Sequence, residues 1–86
     1  KDAFNAIAEF NKVKEIYETR LRLEQASKST LDLAQLQYLN GVIGYMDLLD
    51  AQRGYLDAQI GLSNAVRDKQ ISMVNLYKAL GGGWKE

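Results

Sequence analysis

Five of the seven glycines in this 86-residue chain fall in two short clusters and proline is absent, which leaves few folds open. The stretch from Asp2 to Leu39 contains neither Gly nor Pro, Asn40-Gly41-Val42-Ile43-Gly44 is a central break, and Gly81-Gly82-Gly83 is a terminal one. Between the breaks lie sequences rich in Ala, Leu, Gln, Glu, Lys and Arg, residues of high helix propensity. The expected fold class is all-α, with a first helix over about 2–39, a tip turn over about 40–44, a second helix over about 45–80 and a Gly-rich tail over 81–86. A connection this short sets its helices antiparallel. The chain reads as a single antiparallel two-helix coiled-coil hairpin covering residues 1–86.

Composition removes most chemistries. Without Cys there is no thiolate metal site, disulfide or cysteine nucleophile, and without His the commonest general base and metal ligand are missing. Ser27, Ser29, Ser63 and Ser72 therefore have no imidazole to activate them, and Gly81-Gly82-Gly83 follows a helix where a phosphate-binding loop would open one. No enzyme activity, cofactor or metal is expected. Eleven basic residues balance eleven acidic ones; with no basic stripe, nucleic acid is not an expected partner. No stretch approaches the roughly twenty apolar residues that span a bilayer. Residue 1 is Lys where a complete chain would begin with Met, so the sequence is expected to come from something longer.

The two helices carry different patterns. In the first, Phe4, Ile7, Phe10, Val13, Tyr17 and Leu21 keep a three-four rhythm that weakens over 25–30 and resumes at Leu31, Ala34 and Tyr38. The pairs Lys14/Glu18, Glu18/Arg22, Arg20/Glu24, Glu24/Lys28 and Lys28/Asp32 sit at i,i+4 and mark a solvated face. In the second, positions 51, 54, 58, 61, 65, 68, 72, 75 and 79 read Ala, Gly, Ala, Gly, Ala, Asp, Ser, Asn, Ala. That is a seam of small residues beside a larger stripe of Leu48, Tyr55, Leu62, Val66, Met73, Leu76 and Leu80. One hairpin partner covers one stripe, so two stripes imply two helix neighbours. Gly54 and Gly61 point the same way, because each costs roughly 1 kcal/mol against Ala inside a helix. The expected helix-packing seam is Ala51, Gly54, Ala58, Gly61, Ala65 and Ser72. The sustained heptad predicts left-handed supercoiling. Gly44 reads as a weak N-cap, with Asp47 and Asp50 favoured by the positive end of the second helix.

Tyr38-Leu39-Asn40-Gly41-Val42-Ile43-Gly44-Tyr45-Met46-Asp47-Leu48-Leu49-Asp50-Ala51-Gln52-Arg53 resembles the Y-x-x-G-x-x-x-[YIF]-x-D-[VL]-L-D-A-Q-R segment of the TolC-like outer membrane factors. Leu76-Tyr77-Lys78-Ala79-Leu80-Gly81-Gly82-Gly83-Trp84 is similar to the C-terminal L-Y-K-A-L-G-G-G-W of their drug-efflux, NodT-like branch. The resemblance implies the last periplasmic hairpin of a protomer in a homotrimer, whose hairpins build a twelve-helix α-barrel below an outer membrane β-barrel. Strands and a signal-bearing or lipidated N-terminus would lie upstream. It further implies that the turn is the tip that meets a periplasmic adaptor (membrane fusion) protein, and through it, indirectly, an inner membrane efflux pump. The adaptor-docking positions would be Asn40, Gly41 and Val42, where Asn40 departs from the family's V-G-[LT]. The gated constriction would involve Tyr38, Ile43, Asp47, Asp50 and Arg53. Ile43 replaces an Arg that forms a polar latch in some members, so any latch here uses other partners.

The implied function is a gated tunnel segment for export of small molecules, in the periplasmic portion of a Gram-negative outer membrane protein. From one chain, Asp47 and Asp50 are equally read as first-turn carboxylates that stabilise a helix. One rival shares the heptad pattern, a stand-alone hairpin that oligomerises as a scaffold; a second is the hairpin of a periplasmic adaptor, which also points helices at such a tip. The two quoted strings argue against the adaptor.

Overall fold

The computed structural model describes residues 3–81. Two helices take up nearly all of them, α1 at Ala3–Leu39 and α2 at Tyr45–Ala79. Descending α1, successive partners climb α2: Tyr38 meets Tyr45, Glu24 meets Tyr55 and Tyr17 meets Lys69. Only an antiparallel hairpin pairs residues in that order. The result is a rod 65 Å long and 16 by 15 Å across, with no strand among the described residues.

The turn is made by backbone chemistry. The Val42 N–H donates to Gln37 O at 2.8 Å and the Gly41 N–H to Tyr38 O at 3.1 Å, with Gly41 at φ +74°. These are the two bonds of a Schellman motif, which needs a left-handed residue at that position. Asn40 reinforces the ending, since its side-chain Nδ2 donates to Leu36 O at 2.8 Å. At the start of α2, Gly44 is the N-cap and its N–H donates to Asp47 Oδ2 at 3.3 Å. A carboxylate there also faces the positive helix end.

Packing between the helices follows a strict three-four row on α2. Leu48, Ala58, Ala65 and Ser72 are buried, and Ala51, Tyr55, Leu62, Lys69, Leu76 and Ala79 are half-buried between them. Large and small residues thus alternate along one contact face. The face draws on both stripes read from the sequence: Ala51, Ala58, Ala65, Ser72 and Ala79 come from the small seam, and Leu48, Tyr55, Leu62 and Leu76 from the larger one. Gly54, Asp68 and Asn75 are exposed and Gly61 is half-buried. The physical reason is that a helix neighbour covers the a and d positions together. The two stripes read from the sequence are centred a few tens of degrees to either side of that face.

The structure also sets the phase of α1 and the partners of its charges. On α1 the inward row is Ala6, Phe10, Val13, Tyr17, Leu21, Glu24, Ser27, Leu31 and Ala34, so Phe4 at 77% exposure and Ile7 lie outside it. The apolar rhythm weakens over 25–30 because polar Ser27 takes the inward position there, as Glu24 does just before it. Of the five i,i+4 charge pairs only Lys28–Asp32 closes, at 3.7 Å. Glu24 turns instead to Tyr55, Arg22 donates to Thr19 Oγ1 at 3.3 Å, and Arg20 lies across Gly61. Tyr77 is 59% exposed in the hairpin, whereas Tyr17 and Tyr55 are half-buried. Trp84 and the glycines at 82 and 83 lie outside the described residues.

Five apolar residues are buried, four of them alanines, and no large side chain is fully enclosed among the described residues. At about 0.8 kcal/mol per buried methylene, alanines contribute little each. The rod lacks the core that stabilises a domain of this size by itself.

Candidate functional site

The tip gathers most of the residues singled out from the sequence. Tyr38, in the last turn of α1, places its ring 5.9 Å from that of Tyr45, in the first turn of α2, tilted by 54°. Tilted aromatic pairs at this distance are mutually attractive, so the two helix ends are joined by side chains as well as by the turn. Tyr45 was not among the expected site residues; its position seven after Tyr38, across the Asn-Gly turn, is the signal that marks it. Ile43 is half-buried between them in sequence.

The acidic positions are engaged locally. Asp47 caps the N-terminus of α2 through the Gly44 N–H. Asp50 Oδ1 pairs with Arg53 Nη1 at 3.3 Å, one turn along the same helix, with both side chains exposed. Neither carboxylate bonds to Tyr38. Within one hairpin, then, Tyr38, Asp47 and Asp50 do not converge, and Asp50 and Arg53 do.

Around the turn the surface is apolar. Leu39 is 80% exposed, Val42 and Met46 are each 67% exposed, and Leu36 and Tyr45 are also exposed. The expected docking trio contributes Val42 to this cap, whereas Asn40 and Gly41 spend their chemistry on ending α1. Leu39 and Met46 join it from the ends of the two helices, beyond the turn positions expected to dock.

Along the rod, polar side chains also reach across between the helices. Tyr55 Oη donates to Glu24 Oε2 at 3.0 Å, partly buried. Lys69 Nζ sits 4.4 Å from the centroid of the Tyr17 ring, a cation–π geometry. The Arg20 side chain covers Gly61, where an added Cβ would meet its Nη1 at 3.4 Å. The hydrogen bond to the Glu24 carboxylate holds the Tyr55 phenol above its ordinary pKa, aided by burial and by the negative charges of Glu24 and Asp32. A shallow groove of about 380 Å³ lies on the Gly61 flank, lined by Lys12, Val13, Asp68, Ile71, Ser72 and Asn75 among others. Among the described residues, no three acidic side chains come close enough to hold a metal ion, and no helix is long and apolar enough to cross a membrane.

A coreless hairpin with an apolar tip and a small-residue seam is the geometry on which the comparisons with known proteins bear. The model of the outer membrane efflux protein family matches residues 1–82. The chain belongs to that family. Among its relatives, the probable outer membrane lipoprotein SilC of Salmonella typhimurium is 30% identical over the whole chain. The outer membrane protein OprJ of Pseudomonas aeruginosa is 39% identical over 74% of it. The toluene efflux pump outer membrane protein TtgI of Pseudomonas putida is 49% identical over 66% of it. The matches cover 19%, 13% and 12% of those relatives, so the chain spans no more than about a fifth of their length. No solved structure gives a significant match.

Proposed function

We propose that the chain is a tunnel-wall hairpin of an outer membrane efflux channel, projecting into the periplasm and conducting exported small molecules passively. The observation that carries this reading is that a match across residues 1–82 to efflux proteins falls on a rod with almost no core of its own. Such a rod is completed by neighbours. Its two flanks differ in a way that suits side-by-side packing. One bears Gly54, Gly61, Asp68 and Asn75; it is low at Gly54, where nothing stands within 4 Å of an added Cβ, while Arg20 lies across it at Gly61. Helix geometry puts Val66, Met73 and Leu80, all exposed, on the opposite flank. A raised edge meeting a low edge is a heterologous contact, and repeated rotation of such contacts closes a ring. In the assembly proposed here the ring is a homotrimer of the full-length protein.

The tip then has two tasks. Its apolar cap of Leu39, Val42 and Met46, beside Asn40 and Gly41, would dock a periplasmic adaptor, and through that adaptor the channel would serve an inner membrane pump. Tyr38, Ile43, Asp47, Asp50 and Arg53 would form the constriction. Copies of Asp47 and Asp50 around an axis make a ring that favours cations. Opening would separate the tips; small side chains in the seam let helices part without drawing bulky knobs from deep holes.

A chemical bridge across the tip tests the gate. The chain has no Cys, so Asp50→Cys in the full-length protein gives one thiol per copy in this segment. A short bis-maleimide is expected to join copies covalently and abolish export, with uncoupled monofunctional maleimide leaving it intact. Efficient joining with undiminished export would overturn the gate assignment, and no joining would overturn the convergence of tips.

A further inference from the structure

We propose that the Glu24–Tyr55 hydrogen bond is a register pin, a polar contact set into the small-residue interface that fixes how far α2 can slip along α1 and so where the tip sits. This inference concerns the hairpin alone and stands apart from the channel reading.

The interface needs such a device. Ala51, Ala58, Ala65, Ser72 and Ala79 recur every seven residues along α2, and a slip of one heptad would lay each on a site of nearly the same shape. Alanine knobs are shallow and the large residues between them repeat with the same seven-residue period, so steric interlocking separates registers one heptad apart poorly. Polar residues at core positions are the best-attested way to specify register in paired helices. The turn, with its Schellman bonds, ties the helices at one end only.

Glu24 stands 15 residues up α1 from Leu39, about 22 Å from the turn at 1.5 Å per residue. There it occupies an inward, half-buried position and its carboxylate accepts the Tyr55 hydroxyl at 3.0 Å. The hydrogen bonds of Arg22, Asn40, Arg53 and Arg67 stay within one helix or turn, whereas this one joins α1 to α2. Slipping α2 by a heptad brings Leu48 or Leu62 opposite Glu24, and slipping it by about half that brings Ala51 or Ala58. None of the four side chains can donate a hydrogen bond, and a half-buried carboxylate without its donor is costly. Every slipped register is penalised at this one point. The Lys69–Tyr17 contact, further from the tip, loses its geometry in the same motion. The Tyr38–Tyr45 pairing at the turn depends on the same alignment.

Nitroxide labels at exposed Asn11 and Gln70, in full-length protein diluted with unlabelled copies, report the register as a distance distribution by pulsed electron resonance. The native hairpin is expected to give one narrow distance. Tyr55→Phe keeps the ring and removes the donor, and is expected to broaden the distribution or displace its mean, with helicity retained. Glu24→Leu should behave likewise, and Glu24→Gln, which still offers an acceptor, should restore the narrow distance. If Tyr55→Phe leaves the native distribution unchanged, the ring acts by packing alone and the pin is refuted. The same holds if Glu24→Gln is as broad as Glu24→Leu.

Discussion

Tyr55 holds its proton more tightly than a tyrosine in water because the neutral phenol donates to Glu24, is withdrawn from solvent and faces the charges of Glu24 and Asp32. A pKa raised on folding means that folding favours the protonated form. That contribution is fully present below the unfolded tyrosine value near 10 and is lost as pH rises through the higher folded value. Thermal melts of the protein across about pH 9 to 12 are expected to show an alkaline loss of stability that Tyr55→Phe reduces. Parallel pH profiles for the two proteins would remove the hydrogen bond from the account. Tyr55 itself was legible in the sequence as a packing aromatic, but its partner was not. Glu24 looked like a member of an i,i+4 charge ladder with Arg20 and Lys28, and nothing in a single helix's pattern shows that its side chain points across to another.

At the scale of the element, the two helices and the turn between them could be read almost directly, because breakers are so rare that each marks a boundary. The structure adds the mechanism by which α1 stops. Gly41 at φ +74° supplies the left-handed residue, and Val42 and Gly41 return their N–H groups to Gln37 and Tyr38. Gly41→Ala puts a Cβ on that conformation, at a cost of roughly 1–2 kcal/mol. Nothing lies within 4 Å of the added atom, so the penalty is purely conformational. Faster hydrogen exchange at the Gly41 and Val42 amides than in native protein, with exchange near Ala58 and Ala65 unaltered, is the expected signature. Uniform acceleration along both helices would mean that the turn governs the whole hairpin. What the sequence did not disclose was the phase of each helix about its axis. Periodicity gave the row spacing, yet with alanines in one stripe and leucines in the next, only the actual approach of α1 decides that both share the contact face.

For the whole molecule the decisive residue is Gly54. Inside the hairpin it does nothing that Ala would not do better: it is exposed, mid-helix, and open space surrounds the site of its missing Cβ. A helix-interior Gly is about 1 kcal/mol worse than Ala, so a hairpin selected only for its own stability would not keep one there. If the low flank is reserved for the edge of a neighbouring hairpin, stability and assembly must respond in opposite directions to filling it. Gly54→Ala and Gly54→Leu are therefore each expected to leave the helix content of this segment unchanged or raised. The same substitutions in the full-length protein are expected to shift it from its assembled form toward dissociated chains, Leu more than Ala because it projects further. Light scattering of the purified protein reads that shift. A Gly54→Leu protein that assembles like the native one would mean that this flank faces water, and that the hairpin is completed by contacts elsewhere on its surface. The outward residues Leu56, Ile60 and Val74, all exposed in the rod, would then be the next place to look, since a rod with so little core must be covered along some face.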